Sequence, residues 1–212
     1  MKIAIFGATG TIGSRILKEA LRREHEVTMV VRDPSKLAEA TPNERLHVKR
    51  GDLLMPQSVA EAAAGHEVVI SAYGPRFGAE DELLEVARSL VEGVKKAHVH
   101  RLLVVGGAGS LEASPGVLLM DTPAFPEEIK PLARAHAKAL EIYQASDIDW
   151  TYLSPPAAIE PGDRTGMFRI GTTRVILDEL DNSRISAEDY AVALLDEIED
   201  AQFIRERFTV AY

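Results

Sequence analysis

The sequence has no cysteine, only one tryptophan and no long apolar run. Without cysteine, the chain forms no disulfide and carries out no thiol chemistry. No stretch approaches the roughly 20 apolar residues of a membrane-spanning helix. Basic residues are fewer than acidic ones: the sequence has 24 Lys and Arg and 33 Asp and Glu, and its formal net charge is −9. This acidic balance argues against nucleic acid or an anionic membrane surface as a partner.

Several catalytic motifs are missing as well. The six histidines show neither His-Glu-x-x-His spacing nor a carboxylate cluster, so we expect no metal site. The chain contains neither a Gly-x-Ser-x-Gly elbow nor a Walker phosphate loop, which argues against a hydrolase and a nucleoside triphosphatase. The N-terminus enters an apolar segment directly, with no cleavable signal, and we therefore expect a cytoplasmic protein.

What is present is a glycine-rich turn near the N-terminus, Gly7-Ala8-Thr9-Gly10-Thr11-Ile12-Gly13. The apolar residues 2–6 before it predict a buried strand, and the apolar spacing after it predicts a helix. In this context Gly7 permits a tight turn, Gly10 lets the backbone approach a pyrophosphate, and Gly13 allows close helix packing. The residues predicted to contact a dinucleotide are Gly7, Thr9, Gly10, Thr11, Ile12 and Gly13. A tight turn without a ligand is the alternative.

Apolar segments alternate with amphipathic ones through the first 155 residues. This order predicts an α/β fold, a Rossmann doubly wound parallel sheet with helices on both faces. We predict strands at 2–6, 26–31, 45–50, 67–71, 100–105 and 149–154, and residues 208–212 fit a last strand. We predict helices at 11–23, 34–40, 57–64, 80–97, 128–145 and 186–199, the last with a cap-like start at Ser186.

Two segments interrupt the alternation. Residues 106–127 hold several glycines and prolines and predict a long loop at the carboxyl end of a strand, where open α/β sheets bind ligands. Residues 156–184 are rich in Pro, Gly, Arg and Asp. We expect residues 1–212 to form one domain, in which 156–184 contribute a small substrate-side lobe toward the C-terminus.

The residues after the second strand bear on the choice of dinucleotide. NAD sites place an acidic residue at this tip, whereas NADP sites place an arginine there for the 2′-phosphate. Here Arg32 stands at the tip, Asp33 fits a helix cap, and Lys36 adds charge one turn later. NADP(H) is therefore favoured over NAD(H). A solvated Arg32–Asp33 pair unrelated to the ligand is the alternative.

These motifs together resemble the short-chain dehydrogenase/reductase superfamily, in its atypical NAD(P)-binding branch. Within it, the C-terminal segment 183–193 is similar to the NADH-flavin reductase group, which is itself similar to biliverdin-IXβ (flavin) reductase and NmrA-like proteins. The segments that carry the resemblance are Gly7–Gly13, Arg32–Pro34, Gly51–Leu53, Ser71–Gly74, Asp149–Pro156 and Ser183–Ala193.

The resemblance implies roles for further residues. Asp52 and Leu53 would lie against the adenine, and Pro155 would border the nicotinamide. The residues that would pass under the ribose and diphosphate are Ala72, Tyr73 and Gly74. Ser110 stands where the family often has a substrate-binding serine. Asp52 as a simple turn cap is the alternative, and Trp150 and Tyr152 are interpreted as core residues.

The superfamily's Tyr-x-x-x-Lys pair has no counterpart here. His136 stands at the lysine position and Leu132 at the tyrosine position, while a shift by two residues gives Lys138 and Arg134. Without a phenolic acid, hydride transfer to a flavin, quinone or tetrapyrrole is favoured, since such an acceptor spreads negative charge over its rings. His136 is the candidate catalytic residue, as a neutral group on the nicotinamide ribose or as a charged proton donor. An exposed helix histidine is the alternative.

The sequence therefore predicts an NAD(P)H-dependent reductase acting on a planar conjugated small molecule, possible stacking partners being Tyr73, Phe77 and Phe125. A non-catalytic NADP-binding sensor of the NmrA type is the second hypothesis, and an epimerase-like enzyme is the third. Acidic residues such as Glu82 and Glu197 are interpreted as solvated helix faces. The sequence does not indicate an oligomeric state.

Overall fold

A computed structural model describes residues 1–37 and 43–212 of the chain. Its α-helices are α1 (Thr11–Arg22), α2 (Pro56–Ala63), α3 (Glu82–Lys96), α4 (Lys130–Gln144) and α5 (Ala187–Glu199). Its strands are β1 (Lys2–Phe6), β2 (Glu26–Val31), β3 (Leu46–Arg50), β4 (Val68–Ser71), β5 (Arg101–Val105), β6 (Glu112–Ser114), β7 (Val117–Leu118), β8 (Asp149–Ser154), β9 (Ala158–Glu160), β10 (Arg169–Gly171), β11 (Arg184–Ser186) and β12 (Glu206–Ala211).

Eight of these strands form one sheet in the order β10-β12-β8-β5-β4-β1-β2-β3. Every pair within it is parallel except β10 with β12. The order reverses between β1 and β4, which is the switch point of a doubly wound sheet. The predicted Rossmann fold is confirmed. The antiparallel edge strand β10 is an addition that the sequence did not predict.

The helices cover both faces of the sheet. On one face α1 packs against α5, over apolar side chains such as Ile3, Ile5 and Leu103. On the other face α2, α3 and α4 pack in series over a second cluster that includes Phe6 and Trp150. Since both faces are covered, the central strands are apolar throughout rather than alternating, as the sequence pattern indicated.

Two local predictions need correction. The helix predicted at 34–40 is a 3-10 turn over Pro34–Lys36, and residues 38–40 lie outside the described part of the chain. The loop predicted at 106–127 contains the short hairpin β6–β7 and 3-10 turns at Leu119–Asp121 and Glu127–Ile129. The predicted cap of the last helix is confirmed, because Ser186 Oγ accepts a hydrogen bond from Asp189 N at 2.9 Å.

The segment after β8 is fastened to the body of the protein. Its strand β9 pairs with β11, which leads directly into α5. Asp189 is fully buried and accepts hydrogen bonds from the amides of Thr165 and Gly166 at 2.8 and 2.7 Å. These contacts hold Thr165 and Gly166 against α5. Among the described residues, no helix is long and apolar enough to cross a bilayer.

Candidate cofactor site

The glycine turn lies between β1 and α1. At two of its positions the fold requires glycine, whether or not a ligand binds. Gly7 has a φ of +79°, and a Cβ there would stand 2.4 Å from the Ala72 carbonyl oxygen. A Cβ on Gly13 would stand 2.1 Å from the Gly7 carbonyl oxygen. Any side chain at either position would therefore push α1 or the end of β4 away from the turn.

Gly10 differs, because nothing in the protein demands a glycine there. Its φ is −78°, and a Cβ would meet only the Gly7 carbonyl oxygen, at 3.4 Å. It is the N-cap of α1 but supplies no side-chain cap, and the first turn holds no acidic residue. Among the described residues, none caps the first amides of α1, which lie next to a position with space for a ligand.

The turn opens into a cavity of about 240 Å³ at the carboxyl ends of the first four strands. The cavity is lined by Phe6, Gly7, Thr9, Gly10, Val30, Val31, Arg32, Gly51, Asp52, Leu53, Leu54, Ala72, Tyr73, Gly74 and Glu82. The structure therefore brings together most of the predicted cofactor residues. Thr11, Ile12 and Gly13 form the first turn of α1 beside it, and Pro155 is buried just beyond the end of β8.

Arg32 lines this cavity directly after β2 and is exposed. Its guanidinium group forms no ion pair with a described side chain, in contrast to Arg15, Arg23 and Arg101. A guanidinium group at this tip is suited to a phosphate group. The side chain of Lys36 lies outside the described residues.

Asp52 performs the turn-cap role with one of its two oxygens. Its Oδ1 accepts a hydrogen bond from Leu54 N at 3.0 Å, and its own amide donates to Ser58 Oγ at 2.9 Å. Within the described part of the chain, Oδ2 accepts no hydrogen bond. Capping therefore fixes the carboxylate in the cavity without using up its capacity to accept.

Glu82 requires a correction, because it is part of the cavity rather than a solvated helix face. Its carboxylate accepts a hydrogen bond from the hydroxyl group of Tyr73. Burial and the adjacent Glu82 carboxylate raise the pKa of Tyr73 to about 12. Glu82 opens α3, the helix that follows β4, so its place in the topology was the signal that could have identified it. Glu197 is also misassigned, since it is buried and paired with Arg101.

His136 lies outside this cavity, on α4, in contact with Tyr152 of β8. Its Nδ1 is 3.1 Å from Tyr152 Oη, which also donates to the His136 carbonyl oxygen at 3.2 Å. The amide of Gly107 donates to the same hydroxyl oxygen at 3.2 Å. Burial lowers the pKa of His136 to about 4, so its imidazole is neutral at neutral pH.

Ser110 contacts Arg207 of β12. One nitrogen, Nη1, donates to the Ser110 carbonyl oxygen at 3.0 Å and to Oγ at 2.9 Å. Burial lowers the pKa of Arg207, which forms no ion pair among the described residues. Because Oγ accepts from the guanidinium, its own proton is free to be donated elsewhere.

The other residues considered for proton transfer or stacking lie apart from the cavity or face solvent. Leu132 is partly buried against the core, and Arg134 and Lys138 are exposed. Tyr143 is fully covered, and burial raises its pKa far above its ordinary value. Phe77 is 87% exposed, and Phe125 is partly buried. Among described residues, no group of three or more His, Asp or Glu could hold a metal ion.

A glycine turn under an uncapped helix, beside a cavity at the strand ends, defines a dinucleotide-binding protein of the Rossmann class. The chain belongs to the NAD(P)H-binding family, whose model matches residues 7–201. The resemblance deduced from the motifs is thereby confirmed at the level of the NAD(P)-binding group.

Solved structures that are similar over the whole chain include the following three. One from Burkholderia pseudomallei, provisionally named an exported protein, is 50% identical, with full coverage of both chains and a TM-score of 0.91. One from Bacteroides thetaiotaomicron, provisionally named an epimerase, is 45% identical, covering 100% of this chain and 96% of that chain, with a TM-score of 0.92. One from Streptococcus pneumoniae TIGR4, provisionally named an NADH-flavin reductase, is 33% identical, covering 100% and 99%, with a TM-score of 0.87.

Proposed function

We propose that this protein is an NADP(H)-dependent reductase that transfers hydride to a planar conjugated acceptor such as a flavin. The observation that carries the proposal is the pairing of a cavity at the glycine turn with a neutral histidine where a Tyr–Lys pair would stand. The relative named as an NADH-flavin reductase supports the same reaction class. A cytoplasmic location belongs to the proposal, since NADPH is supplied inside the cell.

The residues at the cavity fit a dinucleotide. Gly10 leaves space for a pyrophosphate, and the first amides of α1 would donate to its oxygens. Asp52 Oδ2 can accept from the adenine amino group, and Leu53 offers an apolar surface. Arg32 would hold the 2′-phosphate, which is the basis for favouring NADP(H) over NAD(H).

The tyrosines argue against ordinary alcohol or sugar chemistry, which needs a phenol whose pKa is lowered. Burial raises the pKa of Tyr73, Tyr143, Tyr152 and Tyr190. The hydroxyl group of the fifth, Tyr212, donates a hydrogen bond to Asp189 Oδ2 at 2.8 Å. An acceptor that delocalises the incoming charge needs no such phenol, and this favours a flavin, quinone or tetrapyrrole.

The chain's own groups would then bind the cofactor, orient the acceptor and shield both from water. The bound nicotinamide supplies the hydride. His136, as a neutral imidazole, would hold a ribose hydroxyl, and Ser110 can donate its proton toward an oxygen or nitrogen of the acceptor. The segments 106–127 and 156–184 would cover the acceptor and exclude water.

The test is a turnover assay with purified protein, NADPH and a panel of FMN, riboflavin and quinones. We expect acceptor-dependent loss of the absorbance of the reduced nicotinamide. The Gly10→Ala variant provides the background rate, because it should fold but bind the cofactor poorly. Tight NADPH binding without oxidation by any acceptor would contradict the reductase proposal.

That negative outcome would instead support an NADP-binding sensor of the NmrA type. The raised tyrosine pKa values are the observation that keeps this second function in view, because a sensor requires no proton donor. The epimerase hypothesis ranks third, because an epimerase needs a proton-transferring group and the raised tyrosine pKa values argue against one. One relative is nevertheless provisionally named an epimerase.

A further inference from the structure

Tyr152 is buried, with 1% of its surface exposed. Three groups surround its hydroxyl oxygen. They are the Gly107 amide at 3.2 Å, the His136 carbonyl oxygen at 3.2 Å and His136 Nδ1 at 3.1 Å. The amide can only donate a hydrogen bond, and the carbonyl can only accept one. The imidazole nitrogen is the one group whose role depends on where the ring carries its proton.

Proton counting separates the two tautomers. With a proton on Nδ1, the Tyr152 oxygen accepts from Nδ1 and from Gly107, and donates to the carbonyl, so every contact is a hydrogen bond. With the proton on Nε2, both Nδ1 and the His136 carbonyl oxygen need the single Tyr152 proton. One of these two contacts, at 3.1 or 3.2 Å, would then have no proton between its atoms.

The loop after β5 is shaped to fit this arrangement. A Cβ on Gly106 would stand 2.1 Å from Tyr152 Cε1, and one on Gly107 would stand 2.8 Å from His136 Cβ. Two consecutive glycines therefore let the backbone press against both side chains. The close approach brings the Gly107 amide to the hydroxyl group and leaves little freedom for the imidazole to rotate.

We propose that Tyr152 is a positioning residue that holds His136 as the Nδ1–H tautomer and thereby presents the Nε2 lone pair as an acceptor. This lone pair would accept a hydrogen bond from a hydroxyl group of the cofactor's ribose, and this second part rests on the proposed function. At Nε2, His136 is then a fixed acceptor of hydrogen bonds rather than a proton donor.

Long-range proton–nitrogen correlation spectra of isotope-labelled protein show directly which ring nitrogen is protonated, and the His136→Gln variant assigns the signal. We expect Nδ1–H in the wild type and a shift toward Nε2–H in Tyr152→Phe. Tyr143→Phe is the matched control. It removes another buried hydroxyl, on a ring 6.3 Å from that of Tyr152, and should leave the tautomer unchanged. A wild-type Nε2–H form, or an unchanged spectrum in Tyr152→Phe, would overturn the proposal.

Cofactor affinity tests the second part. Tyr152→Phe should weaken NADPH binding about 3- to 10-fold, the loss expected for one hydrogen bond, and Tyr143→Phe should not. His136→Gln keeps an acceptor near the Nε2 position and should bind more tightly than His136→Asn, which places its amide near Nδ1. The reverse order would refute the acceptor role. Failure of the wild type to bind NADPH would contradict the proposed function, while the spectra would still decide the tautomer.

Discussion

Arg164 binds Glu19 through two parallel hydrogen bonds, Nε to Oε2 at 2.8 Å and Nη2 to Oε1 at 2.7 Å. Glu19 is 4% exposed on α1 and also accepts from Arg23. Against the opposing effect of burial, the bonds from Arg164 and Arg23 hold the pKa of Glu19 below its ordinary value. The segment after β8 is thus fastened to the helix whose first turn adjoins the cofactor cavity.

We expect Glu19→Ala to lower the free energy of unfolding by about 2 kcal/mol, because it removes the carboxylate that Arg164 binds, whereas Arg23 keeps its ion pairs with Asp196 and Glu199. Arg164→Ala should cost about 1 kcal/mol, since Arg23 still neutralises Glu19. Urea unfolding measures both. Glu26→Gln, in an exposed pair with Lys2, is the control and should be nearly neutral. Equal losses in all three variants would contradict this account.

Gly10→Ala and Gly13→Ala should separate binding from folding. The Gly10 variant has space for its methyl group, so we expect an unchanged Tm and a loss of NADPH affinity of at least about tenfold, or about 1.4 kcal/mol. The Gly13 variant would force a carbon to within 2.1 Å of the Gly7 carbonyl oxygen, and its Tm should fall. Calorimetry measures the Tm of each variant, and cofactor titration measures its affinity for NADPH. If the folded Gly10→Ala protein bound NADPH normally, the pyrophosphate could not lie against Gly10.

Arg32→Ala should weaken NADPH binding about 10- to 100-fold, the effect of losing charge-assisted hydrogen bonds, and leave NADH binding nearly unchanged. Added salt should reduce the difference between wild type and variant. Arg22→Ala, which removes another exposed arginine, is the matched control for net charge. Equal losses for the two cofactors would eliminate the phosphate role of Arg32.

His136 predicts a dependence of stability on acid pH. Its pKa is about 4 in the folded protein and about 6.5 in the unfolded chain. Between these values the unfolded chain binds a proton that the folded protein does not, so stability falls as the pH drops from 6.5 toward 4. The loss should approach, and not exceed, about 3 kcal/mol. Subtracting the same curve for His136→Gln isolates this histidine, and identical curves would contradict its burial as a neutral group.

The parts of the fold that follow from local patterns could be predicted. The glycine turn, the strand ends and the Ser186 cap depend on residues close in the sequence, so their identities were sufficient. The 34–36 segment was harder, because Asp33-Pro34 begins an α-helix and a 3-10 turn equally well.

The rest of the site depends on contacts between distant segments. Arg164 and Glu19 are 145 residues apart, and Tyr152 meets His136 only because α4 packs on β8 beside a glycine pair. Glu82 looked like any acidic residue at a helix start until β4 and α3 placed it at the cavity. Residue spacing along the sequence does not predict contacts between such distant residues.

The cavity is built from the N-terminal part of the sequence. Its lining runs from Phe6 to Glu82, whereas the polar groups that could act on a substrate lie between Gly107 and Arg207. Under the proposed function, these two consecutive stretches of the chain would differ in role, because the first would bind the adenosine and pyrophosphate part of the cofactor and the second would determine the reaction. Selection could rebuild the second stretch without disturbing the first, so closely superimposable relatives can carry the names of different enzymes.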